Sequence, residues 1–272
     1  MSDEARGVAL VVAAVSSLQF GAGYAVTLFD ELGPAGAAFL RLAIAAVVLV
    51  ALWRPRVRGH PGRDLRLAAA FGITLGLMNL CIYEAMDRIP LGIAVKIEFW
   101  GPLAVAVAGS RRPLDLLWVV LAAGGIALLA DPGGGSLDGA GIAFALAAGG
   151  LWAGYILLST RTGRVFPGGS GLAIAMVFGA LVTLPAGIGA DLLAPEMLAA
   201  GAVVALASSV VPYSLELEAL RRLPARVFGV LMSLEPAVAA LAGLVVLGQA
   251  LGGREWLAIA LVVAASAGAT AR

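Results

Sequence analysis

The chain is short of what soluble proteins and enzymes need. Of its 272 residues only 13% are charged, against 61% hydrophobic, and the mean hydropathy is +0.99. A typical soluble domain is about a quarter charged, so polar residues are too few to cover a water-exposed globule. High hydrophobicity with a formal net charge of only +1 excludes a disordered chain. The same small charge leaves no strong positive field for nucleic acid. The single cysteine, Cys81, excludes an internal disulfide and a cysteine-rich metal site. The single histidine, His60, lies in an arginine-rich polar stretch, which argues against Ser–His catalysis and a His-based zinc site. No Gly-Lys-Ser/Thr follows Gly133-Gly134-Gly135, so no phosphate loop is expected. Neither a cofactor nor a metal is expected, and no enzyme activity.

What the chain does have is long apolar runs. A transmembrane helix needs roughly 20 mostly apolar residues. Windows of that length give ten spans, near 7–28, 34–53, 65–86, 91–109, 114–130, 139–159, 169–189, 197–219, 224–247 and 254–270. The runs are long and do not alternate polar with apolar residues, so they read as helices rather than barrel strands. The fold class expected is an all-α integral membrane protein. The first span is read as a membrane helix rather than a signal peptide, because its lead Met1–Arg6 carries mixed charge and nine spans follow. Fourteen of the eighteen basic residues fall on one side of this arrangement, from Arg6 to Arg272. Only Arg88 and Arg254 fall on the other, and Arg41 and Lys96 lie within spans. The excess of arginine places both termini in the cytoplasm.

The chain also repeats itself. Glu84-Ala85-Met86-Asp87-Arg88-Ile89-Pro90 matches Glu218-Ala219-Leu220-Arg221-Arg222-Leu223-Pro224 at an offset of 134, and Pro102 meets Pro236 at the same offset. Gly23-Tyr24 meets Gly154-Tyr155 at offset 131. The division expected is 1–132 as a first five-helix repeat, 133–138 as a linker and 139–272 as a second repeat. Five is odd, so the halves cross the membrane in opposite senses. Inverted repeats of this kind recur in secondary transporters, with the substrate site at the repeat interface near the midplane.

Charges inside a membrane cost about 2.5–3.5 kcal/mol each on insertion scales and persist where they pair or line a cavity. Four are placed there: Arg41 in the second span, Lys96 and Glu98 in the fourth, and Glu235 in the ninth. Their signs sum to zero. Lys96, the one lysine, lies about 8 Å below the outer end of its span at 1.5 Å per residue, with Trp100 at i+4 for a cation–π contact. A zwitterionic amino acid needs a negative group for its ammonium and a positive group for its carboxylate. Lys96 with Glu98 or Glu235 supplies both. The rival reading is a buried ion pair that pins helices, and Arg41 is assigned that structural role. Asn79 and Tyr83 share one face of the third span. Ser209, Tyr213 and Glu216 share one face of the eighth, where Pro212 frees backbone carbonyls. Trp152 and Tyr155 in the sixth span and Trp100 in the fourth complete the expected lining. Glu98 and Glu235 are the candidates for proton coupling. Glu84 and Glu218 are assigned to helix-end pairing with Arg88 and Arg222. Gly72 with Gly76 and Gly150 with Gly154 have the small-xxx-small spacing of close helix packing.

Arg88-Ile89-Pro90-Leu91-Gly92-Ile93-Ala94-Val95, running into Glu98-Phe99 and Gly101-Pro102-Leu103-Ala104-Val105, resembles the EamA family of the drug/metabolite transporter superfamily. So does Leu223-Pro224 followed by Val227-Phe228-Gly229-Val230-Leu231-Met232-Ser233-Leu234-Glu235-Pro236-Ala237. Within that family the stretches are similar to the bacterial threonine/homoserine exporters, with the aromatic amino-acid exporters as further relatives. The resemblance implies a bacterial inner-membrane exporter of amino acids, with a central cavity lined mainly by spans 1, 3, 4, 6, 8 and 9. Partners would be a small-molecule substrate and the lipid bilayer, the chain acting as a monomer or a dimer. Lys96 stands where the homoserine exporters usually have an apolar residue, which points to an altered substrate range. The rivals are export of another small metabolite or an amine drug, and a membrane subunit that transports nothing.

Overall fold

The structure, a computed structural model, describes residues 3–26, 28–89, 91–110, 113–129, 138–189, 192–235, 237–238 and 252–270. Among them every regular element is a helix. The helices are α1 Asp3–Val26, α2 Phe29–Trp53, α3 Gly62–Arg88, α4 Leu91–Glu98, α5 Trp100–Gly109 and α6 Pro113–Leu129. They continue as α7 Gly139–Val165, α8 Ser170–Gly187, α9 Pro195–Ala205, a π-helical turn Leu206–Val210, α10 Val211–Arg222, α11 Ala225–Leu231 and α12 Gly253–Thr270. Among the described residues six stretches are long and apolar enough to cross a membrane: Asp3–Ala25, Phe29–Trp53, Gly62–Arg88, Gly139–Val165, Ser170–Gly187 and Pro195–Arg222. Leu116–Leu128 and Trp256–Ala265 are shorter apolar helices. At 1.5 Å per residue, 18 to 28 residues reach about 27 to 42 Å, enough for a bilayer core.

Proline sets where several helices stop. α3 is closed by Ile89 and α10 by Leu223, the residues just past their ends, each extended (φ −132°, ψ 153° and φ −112°, ψ 142°) because a proline follows. Asp138 caps α7: its Oδ1 accepts from the Ala140 N–H at 3.0 Å. α2 closes on Arg54 in the left-handed conformation (φ 41°), whose N–H donates to the Val50 carbonyl at 2.8 Å.

The fourth span, expected as one helix over 91–109, is two. α4 and α5 part at Phe99. Pro102 has no N–H to give the Glu98 carbonyl four residues back, and its ring crowds that carbonyl, so the helix breaks there. α11 stops one residue before Met232, which stands in the same relation to Pro236. Most of the ninth span beyond 238, and 133–137 of the linker, lie outside the described residues.

The core is built on close backbone approaches. α3 packs on α7 and α8, α2 on α8, α1 on α10, α5 on α11 and α7, and α6 on α12. A Cβ on Gly72 would lie 2.0 Å from the Ala175 carbonyl oxygen, and one on Gly76 would lie 2.7 Å from that of Gly179. The glycine pair read from spacing is the seam between α3 and α8. Phe71, Leu75, Phe99, Tyr155, Phe228 and Met232 are fully buried around the middle of the bundle.

Candidate functional site

Arg41, in α2, is the hub of the buried polar groups. Its Nε donates to Ser209 Oγ at 2.6 Å, and its Nη1 to the Tyr83 hydroxyl at 3.0 Å. Its Nη2 donates to the Ser208 carbonyl and to the Tyr213 hydroxyl, the latter at 3.2 Å. The guanidinium carbon lies 5.7 Å from the ring centres of both Tyr83 and Tyr213, a double cation–π contact. Asn79, one turn before Tyr83, donates from Nδ2 to the Tyr213 hydroxyl at 2.9 Å. α2, α3 and the π turn into α10 are thus tied at one point.

The sequence explains why that point exists. Pro212 has no N–H for the Ser208 carbonyl, and the chain opens there into the π turn. Arg41 takes up the freed carbonyl. α1 backs the turn through Gly21, where a Cβ would lie 2.0 Å from Ser208 Oγ.

Two further groups adjoin. On α7 the Tyr155 hydroxyl donates to Glu216 Oε2 of α10 at 2.6 Å, and its ring lies 5.5 Å from that of Tyr213. At the α4–α5 break Glu98 is 8% exposed, and Phe99 meets Trp152 edge-on at 5.0 Å. Glu235, just past α11, is 5% exposed. Glu98, Glu216 and Arg41 are all near enough to Glu235 to act on it electrostatically. Among the described residues the carboxylates of Glu98 and Glu235 make no hydrogen bond or ion pair; the Glu235 backbone N–H donates to the Met232 carbonyl at 3.0 Å.

The expected lining is therefore partly gathered. Asn79, Tyr83, Ser209 and Tyr213 surround Arg41, with Tyr155 next to them and Trp152 beside the break. Lys96 and Trp100 stand apart. Lys96 is only partly buried and has no hydrogen-bond or ion-pair partner among the described residues, so the expected pairing with Glu98 or Glu235 is not made. Trp100 is 45% exposed, and its Nε1 donates to the Leu146 carbonyl of α7 at 3.1 Å. The cation–π contacts among the described residues belong to Arg41 and Arg88, and the expected one of Lys96 with Trp100 is not made. The deep charges also differ from the balanced set read from sequence. Among the described residues the buried charged side chains are Arg41, Glu98, Glu216 and Glu235: three carboxylates to one guanidinium. What sequence reasoning missed is the hub role of Arg41 and the depth of Glu216, which it placed on the face of Ser209 and Tyr213 but not among the deep charges. The signal was Pro212, whose freed carbonyl needs a donor.

The helix-end pairs fall where expected, with Arg88 Nη1 at 2.5 Å from Glu84 Oε2, and Glu218 held by Arg222 and by Arg221 at 2.8 Å. Tyr155→Phe removes the one described hydrogen bond to a buried carboxylate and is expected to cost about 1–3 kcal/mol. Thermal unfolding of the purified variant checks this; an unchanged midpoint would mean that Glu216 does not depend on Tyr155.

Residues 139–271 match the EamA-like transporter family. The threonine/homoserine exporter RhtA of Salmonella typhimurium is 43% identical over 268 residues, covering 96% of this chain and 90% of that one. RhtA of Escherichia coli is 42% identical over 270 residues, covering 97% and 90%. The uncharacterized transporter YwfM of Bacillus subtilis is 31% identical over 239 residues, covering 83% and 80%. A solved crystal structure shares the fold at a TM-score of 0.75 and 20% identity, with 96% of each chain covered.

Proposed function

The chain belongs to the EamA-like transporter family, and from that membership we propose that it exports amino acids of the threonine/homoserine type across a bacterial inner membrane. The observation that carries the reading is the 43% identity to a threonine/homoserine exporter over nearly the whole chain. The buried charges support it, since ionisable groups at membrane depth serve substrate or ion paths far more often than packing.

In this reading the chain makes ten spans as an inverted five-plus-five repeat with both termini cytoplasmic, and works by alternating access. Two observations support the repeat. α3 ends at Arg88 and α4 begins at Leu91; 134 residues later α10 ends at Arg222 and α11 begins at Ala225. The packing is also unchanged when the halves are exchanged. α3 on α7 becomes α10 on α1, while α2 on α8 and α6 on α12 map onto themselves.

The cargo site is the cluster of Asn79, Tyr83, Trp152, Tyr155, Ser209 and Tyr213 with Arg41, flanked by Glu98 and Glu235. Lys96 and Trp100 sit at the edge of the same broken helix. Lys96 receives the cargo carboxylate, and Glu98 or Glu235 the ammonium. Transport is uniport or proton antiport, with Glu98 and Glu235 as the coupling groups. The test is uptake of labelled threonine and homoserine by purified protein in liposomes, with and without a pH gradient. Saturable uptake above that of empty liposomes is expected, and none under either condition would remove the reading. If a proton gradient drives uptake, Glu235→Gln is expected to abolish that dependence. A variant that still follows the gradient would take Glu235 out of the coupling role.

A further inference from the structure

The buried site does not balance its own charge. Arg41 is the one cation among the four buried charged side chains, and it spends its described hydrogen bonds on neutral oxygens of Tyr83, Ser208, Ser209 and Tyr213. Glu216 accepts from a neutral hydroxyl, that of Tyr155. The carboxylates of Glu98 and Glu235, residues each more than nine-tenths buried, have no hydrogen-bond or ion-pair partner among the described residues. Segment 239–251, which follows α11 in the chain, contains no charged residue that would change the count. Three carboxylates against one guanidinium leave an excess of two negative charges, or of one if the partly buried Lys96 is included. An uncompensated buried ion costs several kcal/mol, so the excess has to be met by mobile positive charge, a proton or a cargo cation.

A zwitterion adds no net charge and leaves the excess as it was. A monocation reduces it by one. We propose that this site, read as the amino-acid site above, also carries monocationic amines, namely amino-acid analogues without the carboxylate, and exchanges each for one proton, whereas a zwitterion passes without proton exchange. Charge balances in each half of the cycle: one cation enters the site as one proton leaves it. The other titratable groups within electrostatic reach of these carboxylates are Cys81 on α3, Tyr155 on α7 and Tyr213 on α10, with Arg41 on α2.

The test uses the whole protein in liposomes and two cargoes of the same skeleton: L-threonine, and L-threoninol, in which a hydroxymethyl group replaces the carboxylate. Each competes against labelled threonine at several values between about pH 6 and pH 7.5, where threoninol stays cationic. Displacing one proton makes apparent affinity rise by up to about tenfold per pH unit. The expected result is that threoninol competes, with an affinity that climbs toward that slope, while the threonine affinity changes by less than about twofold. Threonine transport with no competition from a hundredfold excess of threoninol would overturn the proposal and leave amino-acid export standing. So would threoninol competition that is flat with pH. Transport of neither cargo would overturn both. Direct uptake of labelled threoninol, with proton movement in the opposite sense, would support the proposal even if threonine were not carried.

Discussion

Arg41→Met is expected to reduce amino-acid transport by about a hundredfold or more and to destabilise the purified protein by about 3–5 kcal/mol. Removing one member of a buried charged network costs that much because the opposite charges stay behind uncompensated. Here the loss exposes the carboxylates of Glu98, Glu216 and Glu235, which all lie within electrostatic reach of Arg41. It also leaves the Ser208 carbonyl without a donor, because Pro212 cannot supply one. Arg41→Lys separates charge from geometry. A lysine keeps the positive charge but cannot reach four oxygens on two sides in the fixed fork of a guanidinium. The account expects Arg41→Lys to recover much of the stability and little of the transport. Melting curves read beside uptake rates check it. Full transport in Arg41→Lys would mean that only the charge matters.

The second large effect is expected from Gly101→Val. A Cβ at Gly101 would lie 1.9 Å from the Gly149 carbonyl oxygen, a clash with backbone that no rotamer relieves. From the other side, a Cβ at Gly149 would meet the Glu98 carbonyl oxygen at 2.6 Å and the Trp100 ring nitrogen at 2.4 Å. The two glycines let the α4–α5 break lie directly against α7, where Phe99 meets Trp152 and the Glu98 backbone meets Gly149. Forcing a side chain into a filled interface costs about 1–3 kcal/mol. The functional loss is expected to be larger than that cost, because the break that carries Glu98 is pushed off its support. Gly124→Val is the comparison, since nothing lies within 4 Å of a Cβ at Gly124. Uptake by Gly101→Val at more than about a tenth of the parent rate, with Gly124→Val unaffected, would show that the break tolerates displacement.

Much of this molecule can be read from its sequence, with limits that have physical causes. Apolar runs locate membrane helices because the bilayer demands about 20 apolar residues whatever the tertiary context. The ends of α3 and α10 were visible in Ile89-Pro90 and Leu223-Pro224, since proline restricts the residue before it. The α4–α5 break was harder, because hydropathy averages over it and only the position of Pro102 marks it. The cluster around Arg41 was half legible. Helical spacing put Asn79 with Tyr83, and Ser209 with Tyr213, but no pattern within a helix says that α2 and α10 meet. For that reason Arg41 reads as a lone structural charge, and Glu216, though on the face of Ser209 and Tyr213, is not counted among the deep charges. Lys96 misled for the opposite reason: rarity drew attention to it, while its surroundings depend on a break that its own helix pattern hides.

Receipt of the cargo by the polar cluster between α2, α3, α7 and α10 is tested by binding of labelled threonine to the purified protein, compared with Tyr213→Phe. That change removes one hydroxyl, which accepts from Arg41 at 3.2 Å and from Asn79 at 2.9 Å, and leaves the ring in place. The account predicts saturable binding by the parent protein and at least about tenfold weaker binding by the variant, which remains folded. Equal threonine affinity in the two proteins would contradict it.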